Sequence, residues 1–314
     1  MRKKRIALIG ASGLVGRELL KLIQEENLPW DLSFFASKKR GAFDVLTPEM
    51  FDDFDLAFFC TSSEVSKKWI PYALKSTCQT IDLSSAYRLN PNYPLVIPEI
   101  NGEELKKNPK LVSSPNCTTT LMLLALYPLD PILHIQKVVA STYQAMSGSG
   151  IKGLKALESA IEKGALSVFP HESSHDSEAF SGEEEKMIFE TRKILNKDLD
   201  IHPIAIRVPV KRAHSLSLYI EGKNEVDLSR VKKALDEFHG IKRVENAQLT
   251  SEFASEQRPI FCGRIRKDFK NAYALSLFVV GDQLLKGAAL NAFQCAKILL
   301  KNKTFVYNSD KERV

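Results

Sequence analysis

Cys117 stands where a helix is predicted to begin, and this position favours chemistry at its sulfur. Pro115 disfavours helix before it, Asn116 is a suitable N-cap, and the apolar run 121–126 continues the helical pattern behind three threonines. A thiol at a helix N-terminus faces unpaired backbone N–H groups and the positive end of the helix dipole. Both lower the thiol pKa below its free value of about 8.5. Because a thiolate attacks carbonyl carbon, Cys117 is a candidate nucleophile. The alternative is a small buried residue at a helix start.

The composition is typical of a folded enzyme with one large or two medium domains. The chain has 314 residues, and its net charge of +6 comes from 44 basic and 38 acidic residues that are interleaved. This distribution suits anionic small molecules, and it lacks the long basic stripe of a nucleic-acid-binding protein.

Cysteine usage and hydropathy indicate a reducing compartment. Five cysteines form no C-x-x-C pair, which disfavours a disulfide framework or a zinc knuckle. Residues 2–9 imitate the start of a signal peptide, but the glycines that follow interrupt it. No run approaches the roughly 18 apolar residues of a membrane span. We therefore expect a cytoplasmic protein with no nucleic-acid partner, no membrane partner and no metal.

A glycine-rich turn near the N-terminus indicates a dinucleotide-binding domain. The strand-forming run 5–9 meets Gly-Ala-Ser-Gly-Leu-Val-Gly at 10–16, and a helical pattern follows over 17–24. Glycines let the backbone turn sharply and approach a pyrophosphate, which sits on the helix N-terminus. The alternative is an ordinary strand–helix turn. The candidate cofactor-binding residues of this turn are Gly10, Ala11, Ser12, Gly13, Leu14, Val15 and Gly16.

The end of the second predicted strand, 32–36, distinguishes between the two nicotinamide cofactors. NAD enzymes often have an acidic residue there that bonds the ribose 2′-hydroxyl. This chain has Ser37, Lys38, Lys39 and Arg40 instead, and a hydroxyl followed by cations suits a 2′-phosphate. The sequence therefore favours NADP, although a solvated basic turn is the alternative.

The next segments alternate between strand and helix patterns. Strands are predicted over 56–60 and 80–83, with a helix over 64–75 between them, which argues for a parallel sheet. Near the C-terminus, 287–300 is predicted to be an amphipathic helix. The fold class is therefore α/β, with a Rossmann-like dinucleotide-binding domain.

Eight separated segments together resemble the aspartate-semialdehyde dehydrogenase family. They follow the family's order and cover nearly the whole chain. The segments are GASGLVG (10–16), SSAYR (84–88), PNCTTT (115–120), STYQAMSGSG (141–150), EEEKM (183–187), RVPVKRAHS (207–215), GRIRKD (263–268) and KGAALNA (286–292).

The resemblance implies an NADP-dependent, phosphate-requiring oxidoreductase of amino-acid biosynthesis. Its substrates would be aspartyl-4-phosphate and aspartate 4-semialdehyde with inorganic phosphate. It also implies two domains and a homodimer or homotetramer. We expect an NADP-binding domain of residues 1–116 plus 286–314, and an α+β catalytic and dimerisation domain of residues 117–285.

The same resemblance implies roles for individual residues. Ser147, Gly148 and Gln283 would lie on the cofactor side, although Gln283 stands where many members have asparagine. Glu184 competes with Glu183 for the substrate amine. The remaining implied roles are Cys117 as nucleophile with Gln144 close to it, His214 as acid/base, Arg207 for the substrate carboxylate, Glu183 for its amine, and Lys186, Arg88 and Asn116 for phosphate.

Elementary chemistry agrees with these roles. Cys117 would attack an acyl phosphate, expel phosphate and form a thioester that is then reduced to the aldehyde. A phosphate leaving group requires cations, a planar carboxylate suits a bidentate guanidinium, and proton transfer requires a group that titrates near neutrality, which His214 supplies.

Several alternatives stay open. Glu183 and Lys186 are three residues apart and could form a plain surface ion pair. His214 is in phase with an apolar alternation and could be a core histidine. Arg207 and His214 are seven residues apart, so they would face opposite sides of one continuous strand. Their convergence requires a break after Pro209 or within 211–213.

Other features depart from the family or point elsewhere. The segment between 40 and 56 is short, so adenine-side contacts or a strand could be missing. His171-Glu-Ser-Ser-His175 matches a zinc-protease motif, but its loop-like composition disfavours the helix that such a site needs. The rival functions are an N-acetylglutamyl-phosphate reductase and a non-catalytic nucleotide-binding scaffold.

Overall fold

Two β-sheets organise the chain in the computed structural model, which describes residues 2–38, 41, 43–172 and 178–300. The strands are β1 (Lys4–Ile9), β2 (Trp30–Ala36), β3 (Asp44–Val45), β4 (Leu56–Phe59), β5 (Gln79–Asp82), β6 (Leu111–Ser113), β7 (Ile135–Gln144), β8 (Phe169–Pro170), β9 (Asp200–Arg207), β10 (His214–Gly222), β11 (Ile241–Arg243), β12 (Ile260–Lys267) and β13 (Ala274–Gly281). The α-helices are α1 (Leu14–Glu25), α2 (Ser63–Lys75), α3 (Pro98–Asn101), α4 (Cys117–Leu126), α5 (Asp130–Leu133), α6 (Gly150–Glu162), α7 (Gly182–Leu195), α8 (Leu228–Glu237), α9 (Ser251–Ala254) and α10 (Leu290–Leu299).

The first sheet is parallel, as the alternating pattern predicts. Its strand order is β3-β2-β1-β4-β5-β6, and the chain reverses direction across the sheet at β1, which pairs with both β2 and β4. In such sheets the crevice at the carboxyl ends of the strands, next to this reversal, binds the ligand. Although the 40–56 segment is short, it still contributes a strand to the sheet, because the two residues of β3 pair with β2.

The second sheet is mixed, and its order is β11-β12-β13-β10-β7-β9-β8. Its centre, β10, runs antiparallel to both β13 and β7, whereas β7 and β9 are parallel. The carboxyl ends of β7 and β9 therefore lie at the same sheet edge as the start of β10. Three of the predicted site residues end or begin these strands.

The C-terminal helix differs from the prediction over 287–300. A π-helical turn, Leu285–Ala289, precedes α10, and eight of the ten α10 residues are buried. The helix is not amphipathic, because it is buried on nearly all sides and its polar residues Asn291 and Gln294 face inward. Asn291 bonds the Val96 carbonyl oxygen, and Gln294 bonds Glu99 and Lys286.

The apolar cores support the predicted fold class. The helices α10 and α1 share an apolar core with β1 and β4 of the first sheet, whereas α4 shares a core with the second sheet. The expected domain boundaries at 116/117 and 285/286 stay a prediction. Within the described residues, no helix has both the length and the apolar composition to cross a membrane.

Candidate active site

Cys117 is the first residue of α4, as the sequence predicts. Asn116 is its N-cap, and the Asn116 side-chain oxygen accepts hydrogen bonds from the backbone N–H groups of Thr118 and Thr119 at 2.9 and 3.3 Å. Gly287 of the π-helical turn lies against the cysteine, because a Cβ at Gly287 would be 2.8 Å from the Cβ of Cys117. A side chain at 287 would therefore push into Cys117.

The Cys117 thiol is not acidified in the way that the helix start predicts. Burial of the sulfur, followed by the charge of Glu183, raises the pKa of Cys117 to about 11. The Thr118 hydroxyl, Arg88 and Lys186 lower that pKa but do not outweigh the burial. The prediction of a lowered pKa is wrong for the protein without substrate, because it considered only the helix and not the walls around the sulfur.

A cavity of about 350 Å³ lies in front of Cys117. Its wall is formed by loops and helices, and several predicted site residues contribute to it. The predicted residues that line it are Gly13, Leu14, Val15, Arg88, Asn116, Cys117, Ser147, Gly148, Glu183, Lys186 and Gln283.

Gln144, Arg207 and His214 come together at one edge of the second sheet. Gln144 and Arg207 are directly paired in the register of β7 and β9, and His214 begins β10. Arg207 and His214 converge although they are seven residues apart, because residues 208–213 leave the strand, with Ala213 at a φ of 68°. All three side chains are buried, and none of them lines the cavity itself.

Gly148 lines the cavity and lies directly against Arg207 and His214. A Cβ at Gly148 would lie 2.8 Å from Arg207 Nη1 and 3.1 Å from His214 Nε2. Arg207 Nη1 also donates a 2.7 Å hydrogen bond to the Ala145 carbonyl oxygen. The Gln144 amide makes a long bond of 3.4 Å to the hydroxyl of Thr142. A larger residue at position 148 would therefore have to displace Arg207 or His214.

His214 has a fixed tautomer. The backbone N–H of Ala145 donates to Nδ1 at 3.0 Å, so Nδ1 carries no proton and Nε2 carries one. Nε2 is buried and has no hydrogen-bond partner among the described residues. Burial, followed by the charge of Arg207, lowers the pKa of His214 to about 3. The prediction that this residue titrates near neutrality is therefore wrong, and the imidazole is a neutral N–H donor.

Glu183 and Lys186 begin α7 and form more than a plain surface ion pair. Lys186 Nζ donates to Glu183 Oε1 at 2.6 Å, and Asn116 Nδ2 donates to Glu183 Oε2 at 2.9 Å. These donors lower the pKa of Glu183 to about 2, against the effect of burial. The side chains of Glu183 and Lys186 are 21% and 31% exposed, so the pair is open to a ligand from the cavity.

The competing Glu184 is occupied by backbone donors. Its carboxylate accepts the N–H of Ser181 at 2.7 Å, while the Ser181 hydroxyl accepts the N–H of Glu184, which is a capping box. The other oxygen of Glu184 accepts the N–H of Ala205 at 2.9 Å. The geometry thus favours Glu183 over Glu184 as the group that faces a substrate.

Two residues beside the predicted ones were not themselves predicted as site residues. The buried Glu190 bonds both Arg88 and the backbone of Asn116. The half-buried His171 lies within electrostatic range of Arg207 and Glu183, and burial lowers its pKa. For Glu190, the only signal was its position seven residues after Glu183, which places both on one helix face.

The glycine turn fits a dinucleotide. Gly10 has a φ of 87°, and a Cβ there would collide with the Cys60 carbonyl oxygen, whereas one at Gly16 would collide with the carbonyl oxygen of Gly10. The helix α1 starts at Leu14 with no side-chain cap at Gly13 and no acidic residue in its first turn. Its first N–H groups are therefore suited to a pyrophosphate.

The other residues predicted to lie on the cofactor side differ in their surroundings. Gln283 is buried and occupied, since its Nε2 donates to the Ser147 hydroxyl at 2.6 Å and its Oε1 accepts the Ala213 N–H at 2.8 Å. Ser37 and Lys38 are exposed, on a bend after β2. Lys39 and Arg40 lie outside the described residues.

The zinc-protease motif is described only in part. His171 and Glu172 are described, and His175 lies outside the described residues. Among the described residues, no group of three or more His, Cys, Asp or Glu side chains is arranged to hold a metal ion.

Comparison with known proteins identifies relatives over nearly the whole chain. Residues 5–108 match the family described as semialdehyde dehydrogenase, NAD binding domain, and residues 126–286 match semialdehyde dehydrogenase, dimerisation domain. The aspartate-semialdehyde dehydrogenase of Prochlorococcus marinus is 37% identical, over 95% of this chain and 96% of that protein. The one of Aquifex aeolicus is 34% identical, over 95% and 98%. The crystal structure of aspartate semialdehyde dehydrogenase II from Vibrio cholerae, complexed with ASA, has a TM-score of 0.88 and 29% identity, over 97% and 100%. These similarities confirm the resemblance and the fold class that the sequence predicts.

Proposed function

The chain belongs to the aspartate-semialdehyde dehydrogenase family, and we propose that it is the oxidoreductase that interconverts aspartyl-4-phosphate and aspartate 4-semialdehyde, using NADP and phosphate. The observation that carries this proposal is the set of charges around Cys117. Glu183, Lys186 and Arg88 line the same cavity as the thiol, and Arg207 lies behind Gly148. One carboxylate and three cations match a substrate with one ammonium group, one carboxylate and one phosphate.

The positions of these charges support an orientation for the substrate. Glu183 accepts its ammonium group, and Arg207 binds its α-carboxylate across Gly148. Arg88, Lys186 and Asn116 hold the phosphate group of the acyl phosphate. The Cys117 thiolate attacks the acyl carbon, the C–S bond of a thioester forms, and the C–O bond to phosphate breaks, so that phosphate leaves as an anion.

Substrate binding favours the thiolate in this arrangement. The Glu183 carboxylate is the second cause of the raised Cys117 pKa, after burial. A substrate ammonium ion at Glu183 offsets that negative charge, so it lowers the pKa of the nucleophile. The amine thus both positions the substrate and promotes the ionisation of the sulfur that attacks it.

His214 donates a hydrogen bond in this proposal. Its protonated Nε2 is directed towards Gly148, where the oxygen of the reacting carbonyl group would lie. A neutral N–H donor stabilises the negative charge that develops on this oxygen. Gln144, whose amide makes only one long bond, lies beside it and orients the same group.

The glycine turn and the first turn of α1 hold the pyrophosphate of the cofactor, and Ser147, Gly148 and Gln283 shape its nicotinamide end. When bound, the cofactor supplies the hydride that reduces the thioester. Ser37 and Lys38, together with Lys39, are proposed to contact the 2′-phosphate and thereby to favour NADP over NAD. The exposed position of Lys38 is compatible with this contact.

One assay tests the proposal against its rivals. NADP reduction is measured with aspartate semialdehyde, with and without phosphate, for the wild type and Cys117→Ala. We expect phosphate-dependent turnover that the substitution abolishes. Turnover only with N-acetylglutamate semialdehyde would instead select the related reductase, and NADP binding without turnover would select the scaffold.

The assembly and location are also proposals. The match of residues 126–286 to a dimerisation domain supports a homodimer, and a homotetramer would pair two such dimers. Light scattering on the eluted protein distinguishes the two. The five free cysteines support a cytoplasmic location. We also retain the division into residues 1–116 plus 286–314 and residues 117–285.

A further inference from the structure

Glu190 is a buried acid that bonds two residues of the cavity wall. It follows Glu183 by seven residues and Lys186 by four on α7, so the three side chains share one helix face. The side chain of Glu190 is 1% exposed. Burying a carboxylate costs free energy unless donors hydrogen-bond to its oxygens, so the partners of Glu190 indicate its role.

Both oxygens of Glu190 accept hydrogen bonds from proposed phosphate ligands. Arg88 Nη1 donates to Oε1 at 3.0 Å, and the backbone N–H of Asn116 donates to Oε2 at 2.6 Å. Arg88 comes from the loop after β5, whereas Asn116 caps the helix of Cys117. One carboxylate therefore fixes the distance between a cation of the first sheet and the start of the nucleophile's helix.

Lys193, three residues further along the same helix face, reinforces this connection. Its Nζ donates to the carbonyl oxygens of Arg88, Asn90 and Tyr93 at 2.7, 2.6 and 2.8 Å. The helix α7 thus holds the Arg88 loop at two points, the guanidinium group and the backbone. The loop has little freedom to move Arg88 away from Glu190.

Arg88 keeps donors for an anion after these bonds are made. One N–H of Nη1 points to Glu190, and one of Nη2 to the Leu83 carbonyl oxygen at 2.9 Å. Its Nε has no hydrogen-bond partner among the described residues. Since a guanidinium group has five N–H donors, it can bind Glu190 and an anion together. Arg88, Asn116 and Lys186 line the cavity.

We propose that Glu190 is a positioning residue for the phosphate of the reaction: it holds Arg88 and Asn116 at the spacing of one phosphate ion and does not itself contact that ion. This inference rests on the proposed function. It requires two acceptor oxygens at residue 190, because both partners are donors. A glutamine offers only one acceptor and places an N–H₂ group against the other donor.

The test compares Glu190→Gln with Glu185→Gln, an identical substitution on the exposed face of the same helix. In the phosphate-dependent assay, we expect Glu190→Gln to raise the phosphate KM by about 10- to 100-fold, the size of one lost bond to a charged group. The KM values for NADP and for the aldehyde should change by less than about threefold. Glu185→Gln should behave as the wild type.

Two further variants separate positioning from general damage. Glu190→Asp keeps the charge and both oxygens on a shorter side chain, and it should recover part of the phosphate affinity. Arg88→Lys should raise the phosphate KM less in the Glu190→Gln background than in the wild type, because the two groups act together. A phosphate KM equal to that of Glu185→Gln, or a parallel rise in all three KM values, would overturn the proposal.

A binding measurement keeps this inference separate from the proposed function. Inorganic phosphate is titrated calorimetrically into the wild type, Glu190→Gln and Glu185→Gln. A wild type without phosphate-dependent turnover rejects the proposed function, whereas the titration still decides the role of Glu190. Phosphate binding that is about 10- to 100-fold weaker in Glu190→Gln supports it, and affinity equal to the control contradicts it.

Discussion

Arg88 and Lys38 are both proposed to bind phosphate oxygens, but the surroundings of the two cations differ. Arg88 is 8% exposed, and Glu190 and the Leu83 carbonyl oxygen hold its guanidinium group. Lys38 lies on an exposed bend and makes no ion pair or side-chain hydrogen bond with the described residues. The cation on the substrate side is held in place by buried contacts, whereas Lys38 is exposed to solvent.

This difference predicts how each region responds to substitution. On the substrate side, the side chains are fixed by buried hydrogen bonds, so each change disturbs a preorganised group and leaves unsatisfied partners. At Lys38, a change removes an exposed charge that water already screens. We therefore expect large effects around Cys117 and small, cofactor-selective effects at 37–40.

The largest effect is expected for the proposed nucleophile. Cys117→Ala removes the atom that is proposed to form the thioester, so turnover should fall by at least about 10⁴-fold. The measurement is phosphate-dependent NADP reduction under saturating substrate.

The control for this variant is Cys78→Ser, a buried cysteine remote from the cavity. Its Sγ donates to the Gln79 carbonyl oxygen at 3.3 Å, and a serine hydroxyl can make the same bond. We expect activity close to that of the wild type. Turnover that persists in Cys117→Ala would mean that the sulfur is not the nucleophile.

His214 should show the second-largest effect. Because its Nε2–H is proposed to stabilise the developing oxyanion, His214→Ala should lower kcat by about 10²- to 10³-fold. His214→Gln can accept the Ala145 N–H and still donate, so it should retain more activity. Steady-state kinetics of the two variants test this order.

The pH profile tests the charge state of His214. With a His214 pKa of about 3 and a Cys117 pKa of about 11, the imidazole is neutral and the thiol largely protonated at neutral pH. Between about pH 6 and 9, kcat/KM should then rise by up to about tenfold per pH unit. Removing the imidazole should leave this slope unchanged. An inflection near pH 6.5 that disappears in His214→Gln would show that the histidine titrates after all.

The sequence predicted those parts of the site that depend on local chemistry. Asn116 caps α4, the glycine turn leads into α1, and the chain leaves the strand between Arg207 and His214. Caps, turns and strand breaks depend on residues close together in the chain, so the motifs determine them.

The sequence could not predict properties that depend on distant neighbours. The raised pKa of Cys117 and the lowered pKa of His214 both come mainly from burial, which only the packed structure reveals. The sequence does not reveal the role of Glu190, because its partners Arg88 and Asn116 are 102 and 74 residues away. No local pattern distinguishes such an acid from a surface glutamate.

Gly148 offers a third, intermediate test of the preorganised side. Gly148→Ala would place a methyl group 2.8 Å from Arg207 Nη1 and 3.0 Å from His214 Cε1, so both side chains must shift. A displacement of this size should lower kcat/KM for the aldehyde by about 10- to 100-fold. Gly182→Ala, where no atom lies within 4 Å of the added Cβ, is the matched control. Wild-type kinetics in Gly148→Ala would mean that this wall does not separate substrate from Arg207.

The smallest effect is expected at the basic turn, where Lys38→Glu combined with Lys39→Glu reverses two charges. We expect the Kd for NADP to rise by about tenfold and the Kd for NAD by less than about twofold, because only NADP carries the 2′-phosphate. Lys67→Glu combined with Lys68→Glu makes the same change in net charge on the exposed side of α2. This control separates local contact from long-range attraction, and added salt should diminish the effect because Lys38 is exposed. If the binding of NADP and of NAD weakened equally, the basic turn would not determine the cofactor preference. Residues inside the cavity would then have to determine it.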